Sequence, residues 1–351
     1  MRRSARRCFS EGSYVYATEA AEIARRSGIE PVARLASNEN PFPPPPAVLD
    51  AAMLALRGVN RYPPEVPRSL LDALKRNHGE YHFAAGAGMD GVIETILRVL
   101  VDPGERVVVA TPTFSFYGVA ARGQGAEVVS VRREKDFSVN PEEFARVMED
   151  APLGFICSPN NPTGNATPPD EIAGLLESFD GVLFLDNAYV DFSDLDYRPL
   201  VKEYDNLVIG RTLSKIHGLV GLRIGYAFLP GWLEEPYRRA QTPFAVSSVA
   251  AAAAEAALGE GERSGAYLDH VRTWRDRFSR EIAHRVFPSE ANFVLVDVAP
   301  GTSDEATRAL ASRGVVVRSC RSFPDLEDHY IRVSIGEDWE NERLISEINR
   351  L

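Results

Sequence analysis

Between residues 83 and 228, short apolar runs alternate with stretches whose apolar residues recur at helical spacing. The strand-like runs are 106–110, 127–131, 154–157, 182–186, 207–210 and 224–228. Most are continuously apolar, as expected of strands covered by helices on both faces. Helical spacing marks 89–101 and 141–149, the latter preceded by Asn140 as an N-cap. This rhythm predicts an open, mostly parallel α/β sheet. From 246 to 285 the pattern predicts long helices. Strands at 292–298, 315–318 and 330–335 then alternate with helices at 303–312 and 338–348, a separate α/β unit with its boundary near 230–245. Residues 40–46 include five prolines and read as an extended crossing loop, since proline suits neither helix interior nor central strand.

A length of 351 residues suggests two domains, and 44% hydrophobic with 25% charged residues is ordinary for a globular protein. The net charge of -11 argues against a nucleic-acid partner, which would need a concentrated basic surface. The basic start, Met1 to Arg7, leaves an organelle transit peptide open, but no apolar segment follows it as a secretory signal requires. No apolar run is long enough to span a bilayer, and the alanine-rich 249–258 reads as a closely packed helix. Cys8, Cys157 and Cys320 are widely spaced, which points to a reducing cytoplasm. The six histidines form no metal-ligand constellation.

In an open α/β sheet, ligands bind beyond the carboxyl ends of the strands. Lys215 follows the run at 207–210, with Ser214 before it and Arg223 in the glycine-punctuated stretch after it. A desolvated lysine is a nucleophile for carbonyl carbon, and Ser214 with Arg223 could clamp an anion. An amine for an aldehyde beside a clamp for a phosphate is what pyridoxal phosphate requires. A surface lysine–arginine pair is the ordinary alternative. Gly86-Ala-Gly-Met-Asp90 opens a helix and could present amides to a phosphate, although glycine caps are common. Asp186 closes a strand and needs a positive partner if buried, or it caps the next turn. Tyr189 and Asn161, the latter within Ser158-Pro-Asn-Asn-Pro-Thr-Gly164, could donate to a ring oxygen, and Phe114 could cover a ring face. Core packing and plain turns are their ordinary readings.

Taken in order, these segments resemble the fold-type I pyridoxal phosphate enzymes, specifically class I/II aminotransferases, over nearly the whole chain. The specific motifs are Asn160-Asn-Pro-Thr-Gly164, Asp186-x-x-Tyr189 and Thr212-Leu-Ser-Lys-x-x-x-Leu-x-Gly-Leu-Arg223. Leu35-Ala-Ser-Asn-Glu-Asn-Pro41 and Asn60-Arg-Tyr-Pro63 narrow it to the histidinol-phosphate aminotransferases. The resemblance implies a large α/β domain at 41–240 with a mostly parallel seven-stranded sheet, a smaller α/β domain at 241–351, and an arm at 1–40 reaching the substrate site. It further implies that Lys215 carries the cofactor and moves the proton, that Asp186 pairs with the pyridinium, and that Tyr189 and Asn161 hold the ring oxygen. Phe114 would stack, while Ser214, Arg223, Asp90 and the backbone at Gly88 and Met89 would hold the phosphate. Tyr62 would serve the partner subunit's cofactor, making a homodimer. Tyr14, Arg318 and Arg332 match positions that recognise the substrate phosphate. The implied reaction joins histidinol phosphate and 2-oxoglutarate to imidazole-acetol phosphate and glutamate, in histidine biosynthesis. An aromatic or broad-range aminotransferase and a phosphothreonine decarboxylase share the scaffold. The chain departs from the family's usual residues at Asn187, Gly91, Phe114 and Ile216-His217. A packed histidine is the expected state of His217.

Overall fold

The computed structural model describes residues 16–65 and 67–351. Seven strands form the main sheet: β1 (His82–Ala87), β2 (Arg106–Thr111), β3 (Glu127–Arg132), β4 (Leu153–Cys157), β5 (Val182–Asp186), β6 (Leu207–Thr212) and β7 (Ile224–Leu229). Their order is β1-β7-β6-β5-β4-β2-β3, and only β7 runs against its neighbours. Every residue of β4 to β7 is buried, as their unbroken apolarity requires. Alternate side chains feed two cores. Leu183 and Leu185 of β5 join one core and Val182 and Phe184 the other, so helices cover both faces. Strand β1, His-Phe-Ala-Ala-Gly-Ala, has little β-propensity and was absent from the expected strands; pairing with β7 along its whole length holds it in place.

A second, antiparallel sheet holds β8 (Arg285–Val286), β9 (Phe293–Asp297), β10 (Arg318–Ser319) and β11 (Tyr330–Ser334) in the order β10-β11-β9-β8. The single strand expected at 315–318 is divided at Val317. Val315–Val316 pairs in parallel with Ala33–Arg34, whereas Arg318–Ser319 pairs with β11, so two partners claim one apolar run. The alanine-rich helix Ser248–Ala257 packs against Pro46–Leu56 in the main-sheet core, later in sequence than the expected boundary. The chain joins the second core within the helix Gly261–Glu281, through Tyr267, Trp274 and Phe278. Pro46 begins its helix at the first position, where a missing N–H costs nothing. Leu35, Tyr189 and Ile216 belong to the second core, which therefore abuts the carboxyl ends of β5 and β6. Among the described residues no helix is long and apolar enough to cross a membrane.

Candidate active site

A cavity of about 520 Å³ opens where β4, β5 and β6 end. On its wall Asp186 is 3% exposed, accepting from Tyr117 Oη at 2.5 Å and from the Ala188 amide at 2.9 Å. Burial pushes its carboxyl up to about 6, and the Tyr117 hydrogen bond opposes that rise most strongly. No cation forms an ion pair with Asp186 among the described residues, so its hydrogen bonds come from neutral donors, with Lys215 exerting a weaker attraction. Tyr117 is fully buried and stacks on Phe155 with ring centroids 4.8 Å apart. Asn187 is buried beside it and donates to the Ser158 carbonyl at 2.7 Å. The unexpected asparagine thereby ties the end of β5 to the Asn-Pro loop.

Lys215 follows the end of β6, is half-buried and lines the same cavity, and its ammonium donates to the carbonyls of Asn38 at 3.1 Å and Ser37 at 3.4 Å. Enclosure by protein, then the nearby Arg332 cation, lowers its pKa to about 8. Tyr189 accepts from Asn38 Nδ2 at 3.0 Å, and burial raises its phenol pKa. Arg332 is 4% exposed and donates to Asn161 Oδ1 and to the Ala36 carbonyl, each at 2.6 Å. Among the described residues its Nε has no partner and no carboxylate balances the guanidinium. A buried cation in that state is suited to an incoming anion.

The far end of the cavity is the start of the helix Gly88–Leu100. Gly88 has φ 74°, and a Cβ there would lie 2.7 Å from Arg223 Nη2, so only glycine lets the arginine lie against the helix start. Arg223 donates to Asp90 Oδ2 at 2.6 Å. Burial raises the Asp90 pKa, and Arg223 opposes that shift. Ser214, Met89 and Phe114 also line the cavity. Asp90 thus reaches the anion end by aiming Arg223.

Two expected residues stand apart. Tyr62 is 82% exposed and stacks on Phe244 at 4.7 Å, on the outer surface of this single chain. Arg318 sits opposite Arg332 in the β10–β11 pairing, but lines a neighbouring cavity of about 400 Å³ and donates to Ser322 Oγ at 2.9 Å. Tyr16 lines both cavities. Tyr14 lies outside the described residues. His217 lines a different cavity, which Phe42, Tyr267 and His270 also line, and burial lowers its pKa. Sequence reasoning assigned no role to Tyr117, Asn38 or Thr212. Asn38 lies inside the Leu35-to-Pro41 motif, and a buried tyrosine needing a partner for its hydroxyl was the available sign of Tyr117.

An amine with a depressed pKa, an unpaired buried carboxylate and a glycine cradle for an anion fit a phosphorylated aldehyde with a protonated ring nitrogen. Fold and site together define an enzyme of amine–carbonyl exchange. The chain belongs to the aminotransferases of class I and II, whose family model matches residues 30–348. The histidinol-phosphate aminotransferase of Methanoculleus marisnigri is 59% identical, with 100% of each chain covered. That of Methanosphaerula palustris is 54% identical over 96% of each chain. The crystal structure of histidinol-phosphate aminotransferase from Sinorhizobium meliloti, in complex with pyridoxal-5'-phosphate, superposes with a TM-score of 0.87. Its identity is 26%, over 98% of this chain and 96% of that one.

Proposed function

We propose that the protein is a pyridoxal phosphate-dependent aminotransferase that converts histidinol phosphate and 2-oxoglutarate into imidazole-acetol phosphate and glutamate. The observation that carries this reading is one cavity gathering Lys215, Asp186 and Arg332 in a chain that is 59% identical to a histidinol-phosphate aminotransferase. When bound, the cofactor supplies an aldehyde for the substrate amine and a ring that accepts the electron pair released at the α-carbon.

The chain's own residues divide the work. Asp186, with its pKa near 6, is mostly ionised at pH 7 and holds a proton on the ring nitrogen. Lys215, with its pKa near 8, has a neutral fraction at pH 7 that can carry the cofactor, take a proton from the substrate carbon and return it. Tyr189 and Asn161 hold the ring oxygen and Phe114 covers the ring. Ser214, Arg223 and the amides of Gly88 and Met89 bind the cofactor phosphate, with Asp90 orienting Arg223. Arg332 receives the substrate phosphate or the second substrate's carboxylate, since a guanidinium fork suits either.

The working form in this reading is a homodimer. Tyr62 and Phe244 are exposed along with Leu49, Met53, Leu54 and Val59, an apolar surface of the kind that marks a protein interface. Tyr62 would then reach the partner subunit's cofactor. The reading also assigns a large domain that runs from residue 41 through the helix Ser248–Ala257, a small domain that begins within the helix Gly261–Glu281, and an arm at 1–40, and places the enzyme in the cytoplasm.

Purified protein incubated with pyridoxal phosphate should turn yellow, and borohydride should fix the cofactor to Lys215. Histidinol phosphate should surpass phenylalanine, tyrosine and phosphothreonine as amino donor. A protein that takes up no cofactor refutes the chemistry, whereas a different preferred donor refutes only the substrate.

A further inference from the structure

Residues 35–40 strap the second sheet to the cavity wall. Ser334 donates its amide to the Leu35 carbonyl at 2.9 Å, and Asn40 Nδ2 donates to the Ile216 carbonyl at 3.0 Å. Between these anchors Asn38 is 1% exposed with φ 53°, a left-handed conformation that asparagine tolerates better than most residues. Its main-chain N–H donates to Ser334 Oγ at 2.8 Å. The Ser334 hydroxyl, 2% exposed, then gives its single proton to Asn38 Oδ1 at 2.9 Å. With Oδ1 engaged, the amide must present Nδ2 to Tyr189, and it donates to the phenol oxygen at 3.0 Å. The Ser334 proton has no acceptor other than Asn38 Oδ1 among the described residues, and that bond sets the orientation of the amide. Among the described residues nothing accepts the proton of Tyr189, whose side chain lines the cavity. Asn161 obeys the same logic. Its Oδ1 is taken by Arg332, a donor only, so its NH₂ is the end left to interact.

We propose that Asn38 and Ser334 are positioning residues that make Tyr189 a hydrogen-bond donor toward the cavity. Tyr189 and Asn161 thereby both present donors, an arrangement that favours an anionic ring oxygen over a neutral hydroxyl. The inference rests on the cofactor assignment above and adds the relay that sets the polarity of its oxygen site.

Asn38→Asp keeps the shape but replaces the donor with a carboxylate, which draws the Tyr189 proton away from the cavity. Loss of one such hydrogen bond corresponds to roughly tenfold weaker pyridoxal phosphate binding. The pH midpoint of the bound cofactor's visible absorbance should rise by about one unit, because a ring oxygen deprived of a donor keeps its proton more tightly. Asn38→Gly retains the left-handed turn and leaves the phenol free to rotate, so its binding should weaken by less than about threefold. In a Tyr189→Phe background, Asn38→Asp should have no further effect on either quantity, since the relay acts through that hydroxyl. If Asn38→Asp does not fold, Ser334→Ala carries the test: it lets the amide turn either way and should weaken binding by about threefold with an upward midpoint shift. Wild-type behaviour of these variants overturns the relay. So does a glycine variant worse than the aspartate one, which would indicate packing, or an undiminished aspartate effect in the Tyr189→Phe background. A wild-type chain that takes up no pyridoxal phosphate overturns the cofactor reading together with the relay. Failure of the variants alone leaves the cofactor reading standing.

Discussion

Tyr117→Phe removes the contact that most favours an ionised Asp186. The substitution removes one oxygen from a fully buried ring and leaves its stack on Phe155, so packing changes little. It also removes the shorter of the two hydrogen bonds to the carboxylate, leaving the Ala188 amide. A hydrogen bond to a charged group contributes about 2 kcal/mol. At 1.36 kcal/mol per pKa unit, its loss should lift the Asp186 carboxyl from about 6 to roughly 7.5. Because the folded pKa is raised, the proton on Asp186 favours folding. That contribution is complete below the unfolded value of 3.8 and is lost as pH rises through about 6 in the wild type. In the variant the loss continues to roughly pH 7.5. The variant's stability deficit should therefore grow by ~2 kcal/mol between pH 5 and pH 8, above a base of roughly 1 kcal/mol for a neutral hydrogen bond. Urea unfolding of both cofactor-free proteins, at one protein concentration and several pH values, measures this directly. A deficit that stays flat from pH 5 to pH 8 refutes the idea that Tyr117 controls the charge on Asp186.

Other expectations are independent of that contact. The rate of pyridoxal phosphate uptake should climb with pH to a midpoint near 8, since burial and Arg332 lower the Lys215 pKa and only the neutral amine attacks an aldehyde. Stopped-flow absorbance checks it, and a midpoint near 10.5 would show an unperturbed lysine. Arg332→Ala should lower kcat/KM for histidinol phosphate by about 100-fold, close to 3 kcal/mol, the scale of losing a charged hydrogen-bonding partner. Wild-type kinetics in that variant exclude it from substrate binding. If Tyr62 completes the partner's site, mixing inactive Tyr62→Ala and Lys215→Ala proteins should restore activity, because a hybrid dimer contains one intact site. Mixtures as inactive as their parents, with hybrids demonstrated by mass spectrometry, argue for sites within single subunits.

Much of the molecule was legible in the chain. The continuous apolar runs at 154–157 and 182–186 and the helical spacing at 303–312 and 338–348 report local burial, and the elements formed there as expected. Chemistry placed at strand ends was legible for the same reason. Once strands and their direction are known, residues just beyond them, such as Asp186 and Lys215, must face one edge of the sheet.

Other features depended on partners distant in sequence. The alanine-rich β1 became a strand only through pairing with β7, and the run at 315–318 was divided because two neighbours claimed its halves. The Tyr117–Asp186 bond joins residues 69 positions apart, and the Asn38–Ser334 bonds join residues 296 apart. By itself, the sequence determined which residue types stand at the ends of which strands, because burial and periodicity are local. Tertiary structure alone decided the donor or acceptor role of each buried polar atom and the pKa of each buried charge. Those properties depend on a partner within hydrogen-bond distance and on exclusion of water, both of which arise only when remote segments meet.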